Sequence, residues 1–69
     1  MKTSARNHWS GTVKAITKGP VSTEVSVTVG PDVDVVAVIS TRSAEILGLA
    51  VGKKADVFIK ASSVLVGTE

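Results

Sequence analysis

The strongest constraint on the fold of this chain is a seven-residue stretch, Thr23–Val29, in which valine alternates with polar residues. Side chains of an extended strand point to opposite faces in turn, so the pattern predicts a β-strand with one buried face. The buried face carries Val25, Val27 and Val29, and the exposed face carries Glu24, Ser26 and Thr28. Val, Ile and Thr supply 24 of the 69 residues, and these β-branched side chains favour strands over helices. We therefore expect an all-β domain.

Turn residues divide the rest of the chain into four further strands. These strands are predicted at Trp9–Thr17, Val33–Ile39, Lys54–Lys60 and Val64–Val66. The sequence Gly30, Pro31, Asp32 predicts a turn between the second and third strands, because Gly permits a positive φ and Pro cannot continue a strand ladder.

One short helix is predicted at Thr41–Leu47. Ser40 or Thr41 can cap its first turn, and Gly48 supplies the residue that ends it. Five short strands with a helix between the third and fourth is the element order of an OB-fold-like Greek-key barrel. We expect a single domain of this kind over residues 1–69.

The third predicted strand is apolar on both faces from Val35 onward, which is typical of a strand that is covered on both sides. A domain of about 60 residues buries only about 60% of its unfolded surface and usually needs a disulfide, a metal or a partner subunit. The chain has no Cys and a single histidine, His8, which excludes a disulfide and argues against a structural zinc site. We expect another copy of the chain to cover this strand.

Charge and composition argue against several classes of function. Eight Lys or Arg and six Asp or Glu are dispersed without runs, for a net charge of +2, and the only aromatic residues are Trp9 and Phe58. A single-strand-binding platform needs more rings than this, so we expect no nucleic-acid partner and interpret both rings as core or interface residues. No stretch approaches the ~20 apolar residues of a membrane span, and no apolar leader is present, so we expect a cytoplasmic protein without a membrane partner. No spacing of nucleophile and base indicates an enzyme.

Three clusters of small hydroxyl residues, each with a cation nearby, lie at the ends of predicted elements. They are Thr3–Asn7, Ser40–Ser43 and Lys60–Ser63. Hydroxyls and free backbone amides can donate hydrogen bonds to a small oxyanion, while Arg6 and Lys60 offset its charge. Ser and Thr at such positions are also ordinary turn and cap residues, and the residues alone leave both interpretations open.

Motifs at the two ends of the chain support a family resemblance. They are Ser4-Ala5-Arg6-Asn7, Gly11-Thr12-Val13 and Ile59-Lys60-Ala61-Ser62-Ser63-Val64. The residues between them that agree with the same family are Glu24-Val25, Val38-Ile39-Ser40, Ser43, Leu47-Gly48-Leu49 and Gly52. Because the motifs at both ends occur together, the chain resembles the molybdenum-pterin-binding proteins, or molbindins, over essentially its whole length.

The resemblance implies an OB-like barrel that assembles as a homohexamer, a trimer of dimers, with molybdate held between subunits. It implies an interface site formed by Ser4, Ala5, Arg6, Ser40, Lys60, Ala61 and Ser62. A second oxyanion site near the threefold axis would use Asn7, His8, Gly19, Val21 and Ser22. Pro20 stands in that loop where the family often has Ala, and it lacks a backbone donor. The implied function is intracellular storage of molybdate, with tungstate accepted and no organic cofactor required.

Three alternatives stay open at this point. The ligand could be the molybdopterin cofactor instead of the free oxyanion. The chain could be a nucleic-acid-binding OB module, whose affinity would fall steeply with salt. It could also be a structural interaction domain from a regulator or a transporter ATPase, although we expect a complete chain, because Met1 begins it and the last predicted strand ends it.

Overall fold

The computed structural model describes all 69 residues, which form a four-stranded antiparallel sheet and a short helix. The elements are β1 (Asn7–Lys18), β2 (Ser22–Gly30), β3 (Val33–Ser40), α1 (Thr41–Leu47), β4 (Lys54–Ile59) and a 3-10 turn (Ala61–Ser63). The strand order across the sheet is β3-β2-β1-β4. Bulges in β1 and β2 increase the local twist, and the sheet curls into a half-barrel. The predicted all-β, OB-like class and the place of the helix are confirmed.

The predicted fifth strand at Val64–Val66 does not form within this chain. Leu65 and Val66 are 95% and 93% exposed, and they pair with no strand. The 3-10 turn at Ala61–Ser63 interrupts the extended backbone between β4 and this segment. A strand exists only through hydrogen bonds to a neighbour, and local alternation carries no information about which edge lies nearby. The sheet is therefore an open half-barrel of four strands, not a closed barrel of five.

The buried core is small and consists of valines from β1 and β2. Val13, Val25 and Val27 are at most 3% exposed, which confirms the alternation predicted for the second strand. The partly buried residues packed against them are Ile16, Val29, Ile39, Leu49, Ala55 and Val57. On the same side of the sheet an apolar groove of about 490 Å³ stays open. The core is therefore only partly covered by the rest of the chain.

The outer face of β3 is uncovered. Val36 and Val38 are 58% and 69% exposed. The whole chain exposes 5499 Å², whereas a folded monomer of 7.1 kDa is expected to expose about 4,100 Å². No other part of this chain therefore covers the second face of β3. That another copy of the chain covers it stays a prediction.

The helix begins and ends as the sequence predicts. Ser40 is the N-cap, and its Oγ accepts a hydrogen bond from the backbone N–H of Ser43 at 3.0 Å. Gly48 ends the helix in the left-handed conformation, with φ of 64°. The turn between β2 and β3 differs from the prediction, because its left-handed residue is Asp32 (φ 58°) and not Gly30. Asp tolerates this conformation better than most residues, since its short polar side chain can bond locally.

At Gly11, β1 packs against β2 without room for a side chain. A Cβ at this position would overlap the carbonyl oxygen of Thr28 and lie 2.8 Å from Cγ1 of Val27. We expect Gly11→Ala to lower the free energy of unfolding by about 1–3 kcal/mol, because the backbone must shift to make room. Urea denaturation at one fixed protein concentration measures this. Gly30→Ala is the matched control, since no atom lies within 4 Å of its added Cβ, and an equal loss in both variants would contradict the assignment.

An ion pair on the outer surface links β1 to the start of β3. Lys14 Nζ donates to Asp34 Oδ2 at 2.7 Å, and Thr28 Oγ1 donates to Asp34 Oδ1 at 2.8 Å. The hydrogen bond from Lys14, and after it that from Thr28, holds the pKa of Asp34 below its ordinary value. A carboxyl whose folded pKa is lowered stabilises the fold above its unfolded pKa and loses that contribution as the pH falls through the folded pKa.

We therefore expect Asp34→Asn to destabilise the chain at neutral pH and to matter progressively less below about pH 4, where the parent carboxyl also becomes protonated. Chemical denaturation of parent and variant between pH 7 and pH 2 measures the difference. Asp32→Asn is the control, because Asp32 takes part in neither ion pair of the structure. A parent–variant difference that stays constant over this pH range would contradict the prediction.

Candidate functional site

The pairing of β1 with β4 brings two of the three polar clusters together. The strands are antiparallel, and Asn7, the first residue of β1, lies opposite Ile59, the last residue of β4. The residues that precede β1 and those that follow β4 therefore meet at the same end of the sheet. The Asn7 side chain fixes this corner, since its Nδ2 donates to the carbonyl oxygen of Ile59 at 3.1 Å.

A cleft of about 580 Å³ opens between these two segments. Its lining residues are Thr3, Ser4, Ala5, Arg6, Phe58, Lys60, Ala61 and Ser62. Six of the seven residues predicted for the interface site are among them. Below, this cleft is called the β1–β4 cleft. Local hydrogen bonds shape both walls: the N–H of Ala5 donates to Thr3 Oγ1 at 3.2 Å, and the N–H of Ser63 donates to the Lys60 carbonyl at 2.8 Å.

The β1–β4 cleft is rich in donors and carries an unbalanced positive charge. Arg6 and Lys60 both line it, and neither takes part in the two ion pairs of the structure, His8–Asp56 and Lys14–Asp34. No carboxylate is among the lining residues. Two cations and two serine hydroxyls at one place form a set of donors that fits an anion with several oxygens.

Ser40, the seventh predicted residue, is not part of the cleft in this chain. It lies opposite Ser22 at the far end of the sheet, beyond the end of β1 that is remote from Arg6. The 12 residues of β1 separate the two ends by roughly 36 Å along the strand. The Ser40 hydroxyl caps α1 and donates to Ser43 Oγ at 2.7 Å, so the cap interpretation of this residue is confirmed.

The residues predicted for the second site are likewise divided between the two ends of β1. Asn7 and His8 begin the strand, whereas Gly19, Val21 and Ser22 follow or face its other end. Gly19, Val21 and Ser22 belong to one loop, which is closed by a hydrogen bond from the Gly19 N–H to the Ser22 carbonyl oxygen at 3.0 Å. One chain alone therefore does not bring these five residues together.

Buried threonines attach this loop to the start of the helix. Thr41 donates its N–H to the Val21 carbonyl at 2.8 Å and its hydroxyl to the Gly19 carbonyl at 2.6 Å. Since that hydroxyl proton is used, the 2.8 Å contact between Thr23 Oγ1 and Thr41 Oγ1 has Thr23 as its donor. Both threonines are buried, so the network holds the loop in a fixed position.

Two contributors to the β1–β4 cleft, Thr3 and Phe58, were not predicted as site residues. Phe58 lies opposite His8 in the strand pairing, and the two rings stack with centroids 4.3 Å apart and planes 10° from parallel. The sequence held a clue, because Phe58 and Lys60 are two residues apart and share one face of the strand. The expectation that Phe58 is a core or interface residue is therefore refined: it is a wall of the cleft.

The next strand pair on the same face, Ser10 with Asp56, also contacts His8. His8 Nε2 lies 3.1 Å from Asp56 Oδ1, and Ser10 Oγ donates to the same oxygen at 2.7 Å. The Ser10 bond first, and then the His8 contact, holds the pKa of Asp56 below its ordinary value. Ser10 donates to the carboxylate and not to the imidazole, so this group lacks the serine–histidine bond that activates a nucleophile.

Two further structural observations bear on function. No group of three or more His, Cys, Asp or Glu side chains is placed to hold a metal ion. The helix is also too short to cross a bilayer, and the chain has no other helix of sufficient length and apolarity.

Comparison with known proteins places the chain in a family. Residues 3–66 match the TOBE domain. The molybdenum transport protein ModE of Herbaspirillum seropedicae is 44% identical over 69 residues, all of this chain and 26% of that protein. The chain thus spans about a quarter of the length of the ModE relatives it matches. A probable molybdenum-pterin-binding protein of Haemophilus influenzae is 41% identical over 69 residues, which is the full length of both chains.

A solved structure agrees with these relatives. The molybdate binding protein from Sporomusa ovata superposes with a TM-score of 0.89 at 34% identity, over 99% of this chain and 100% of that one. The family match covers nearly the whole chain, and the full-length relative is well above the identity at which a fold and family are shared. The chain therefore belongs to the TOBE domain family and, within it, to the molybdenum-pterin-binding (Mop) proteins.

Proposed function

We propose that this chain binds molybdate as a free oxyanion and serves as a reversible molybdate store in the cytoplasm. The observation that carries the proposal is the β1–β4 cleft, where Arg6 and Lys60 lie together with serine hydroxyls and no carboxylate. Its relatives support the choice of ligand, since the Sporomusa ovata structure is described as a molybdate binding protein.

The chemistry of the cleft suits binding without reaction. Charge-assisted hydrogen bonds from Arg6 and Lys60 offset the two negative charges of the anion, and the hydroxyls of Ser4 and Ser62 bind its remaining oxygens. The Ser10 hydroxyl donates to the Asp56 carboxylate and not to His8, so the serine–histidine bond of an activated nucleophile is not formed here. These residues favour a binding function over a catalytic one.

The ligand would be enclosed only between copies of the chain. A water molecule occupies about 30 Å³ of liquid, so a four-oxygen anion takes up only a small part of a cleft of about 580 Å³. Ser40 belongs to the same predicted site but lies at the far end of β1, so a second chain must supply it. We propose that the copies form a homohexamer, a trimer of dimers, as the family resemblance implies.

The surface of the chain supports self-association. Its exposed area exceeds that expected of a folded monomer by roughly 1,400 Å², and a standard interface buries about 800 Å² per partner. Val36, Val38 and the segment Val64–Val66 are apolar and exposed, and another copy can cover them. Asn7 and His8 of one copy could then meet the Gly19–Ser22 loop of another to form the second oxyanion site.

Tungstate would be accepted at the same positions, because it has the same charge and nearly the same shape as molybdate. No organic cofactor is needed for such a site. The molybdenum-pterin cofactor is the second candidate ligand, because the Haemophilus influenzae relative is a probable molybdenum-pterin-binding protein. A nucleic-acid-binding role is disfavoured, because Trp9 and Phe58 lie on opposite faces of the β1–β4 pair and cannot form one stacking platform.

Removing either cation of the cleft should weaken molybdate binding. We expect Arg6→Ala and Lys60→Ala each to raise the dissociation constant about 10- to 100-fold, the range for loss of a charged hydrogen bond. Isothermal titration calorimetry measures this. Lys53→Ala removes the same charge from a turn outside the cleft and is the matched control. If both cleft variants bind molybdate like the parent, the site assignment is wrong.

Molybdate should also stabilise the assembly, because a ligand that binds only between chains favours the assembled state by mass action. Native mass spectrometry of the parent should show a hexamer that carries whole numbers of molybdate ions. Molybdopterin added in place of molybdate tests the second candidate. A monomer whose mass is indifferent to molybdate would contradict both the assembly and the ligand.

A further inference from the structure

The pairing of β1 with β4 arranges the cleft and its surroundings in three successive layers. Two of them are strand pairs on one face of the sheet, Ser10 with Asp56 and His8 with Phe58, about 6.8 Å apart along the strands. The third consists of Arg6 and Lys60, which lie just beyond the ends of β1 and β4 and line the β1–β4 cleft together with Phe58. An aromatic layer therefore lies between the carboxylate of Asp56 and the two cations.

Contacts with His8, Asp56 and Ser10 hold the aromatic layer in place. The His8 ring stacks on Phe58 at 4.3 Å and 10°, and its Nε2 contacts Asp56 Oδ1 at 3.1 Å. Ser10 fixes the same carboxylate oxygen with a 2.7 Å hydrogen bond. Phe58 therefore contributes apolar surface to one wall of the β1–β4 cleft, and its ring is stacked on His8.

An apolar wall discriminates between anions of equal charge through their hydration. A smaller ion has its charge on a smaller radius, so it loses more hydration free energy when apolar surface replaces water beside it. Sulfate and molybdate have the same charge and tetrahedral shape, but sulfate is the smaller and more strongly hydrated ion. Contact with Phe58 therefore disfavours sulfate more than molybdate, whereas Arg6 and Lys60 attract both.

We propose that Phe58 determines the selectivity of this chain for molybdate over sulfate, and that His8 is the positioning residue of the Phe58 ring. The inference rests on the proposed function of the cleft as an oxyanion site. It assigns selectivity to the aromatic layer, and it assigns affinity common to both anions to the cationic layer.

The test measures the dissociation constants of molybdate and sulfate for the same assembled protein by calorimetry, and compares their ratio among variants. We expect Phe58→Ala to reduce the sulfate-to-molybdate ratio roughly tenfold, the lower end of the range for lost apolar contact in a pocket. Phe58→Leu keeps an apolar wall and should retain most of the ratio. His8→Ala should reduce the ratio in part, and His8→Phe, which restores a stacking ring, should recover it.

Two controls separate this inference from the proposed function. Arg6→Ala should weaken both anions to a similar extent and leave the ratio unchanged, and Lys53→Ala, in a turn outside the cleft, should change neither constant. A parent chain that does not bind molybdate refutes the proposed function itself. A parent that binds molybdate, with a ratio unaltered in both Phe58→Ala and His8→Ala, refutes only the role of the aromatic layer. Should Phe58→Ala fail to assemble, the ratios of Phe58→Leu and of the two His8 variants decide the question.

Discussion

The hydrogen-bonded pairing of β1 with β4 is the interaction on which the rest of this structure depends. It closes the longest sequence separation in the sheet, since Asn7 meets Ile59 across the chain. It creates the β1–β4 cleft by bringing the residues before one strand to those after the other. It also sets the order of the acidic and aromatic layers on one face, because side chains on one face of a strand repeat every two residues, and it brings the two cations together beyond the strand ends. Fold and candidate site are thus consequences of one register.

The small number of buried hydrophobic residues is the second constraint, and it connects stability with function. Only three hydrophobic residues are fully buried, and β3 and the apolar groove stay open on the single chain. We propose that further copies of the chain cover these surfaces and complete the cleft. In that case assembly and anion binding share surfaces, and a ligand that binds only between chains stabilises the assembly.

The sequence predicted the elements that depend on neighbouring residues. The alternation around Val25 and Val27 located β2 and its buried face, and Ser40 and Gly48 marked the ends of the helix. These features follow from strand periodicity and from capping chemistry, both of which act over a few residues. The prediction of a strand at Val64–Val66 used the same rule and did not hold within the chain, because pairing requires an edge that local sequence does not reveal.

By itself, the sequence determined the positions of four strands and of the helix, the polar clusters and, through its two end motifs, the family. Tertiary structure alone decided which clusters meet. It joined Arg6 with Lys60, placed Ser40 at the far end of β1, and made Phe58, an expected core or interface residue, a wall of the cleft. The physical reason is the distance along the sequence over which each interaction acts. Periodicity and capping are local, whereas the contacts that form a site are fixed by strand register between residues more than fifty positions apart.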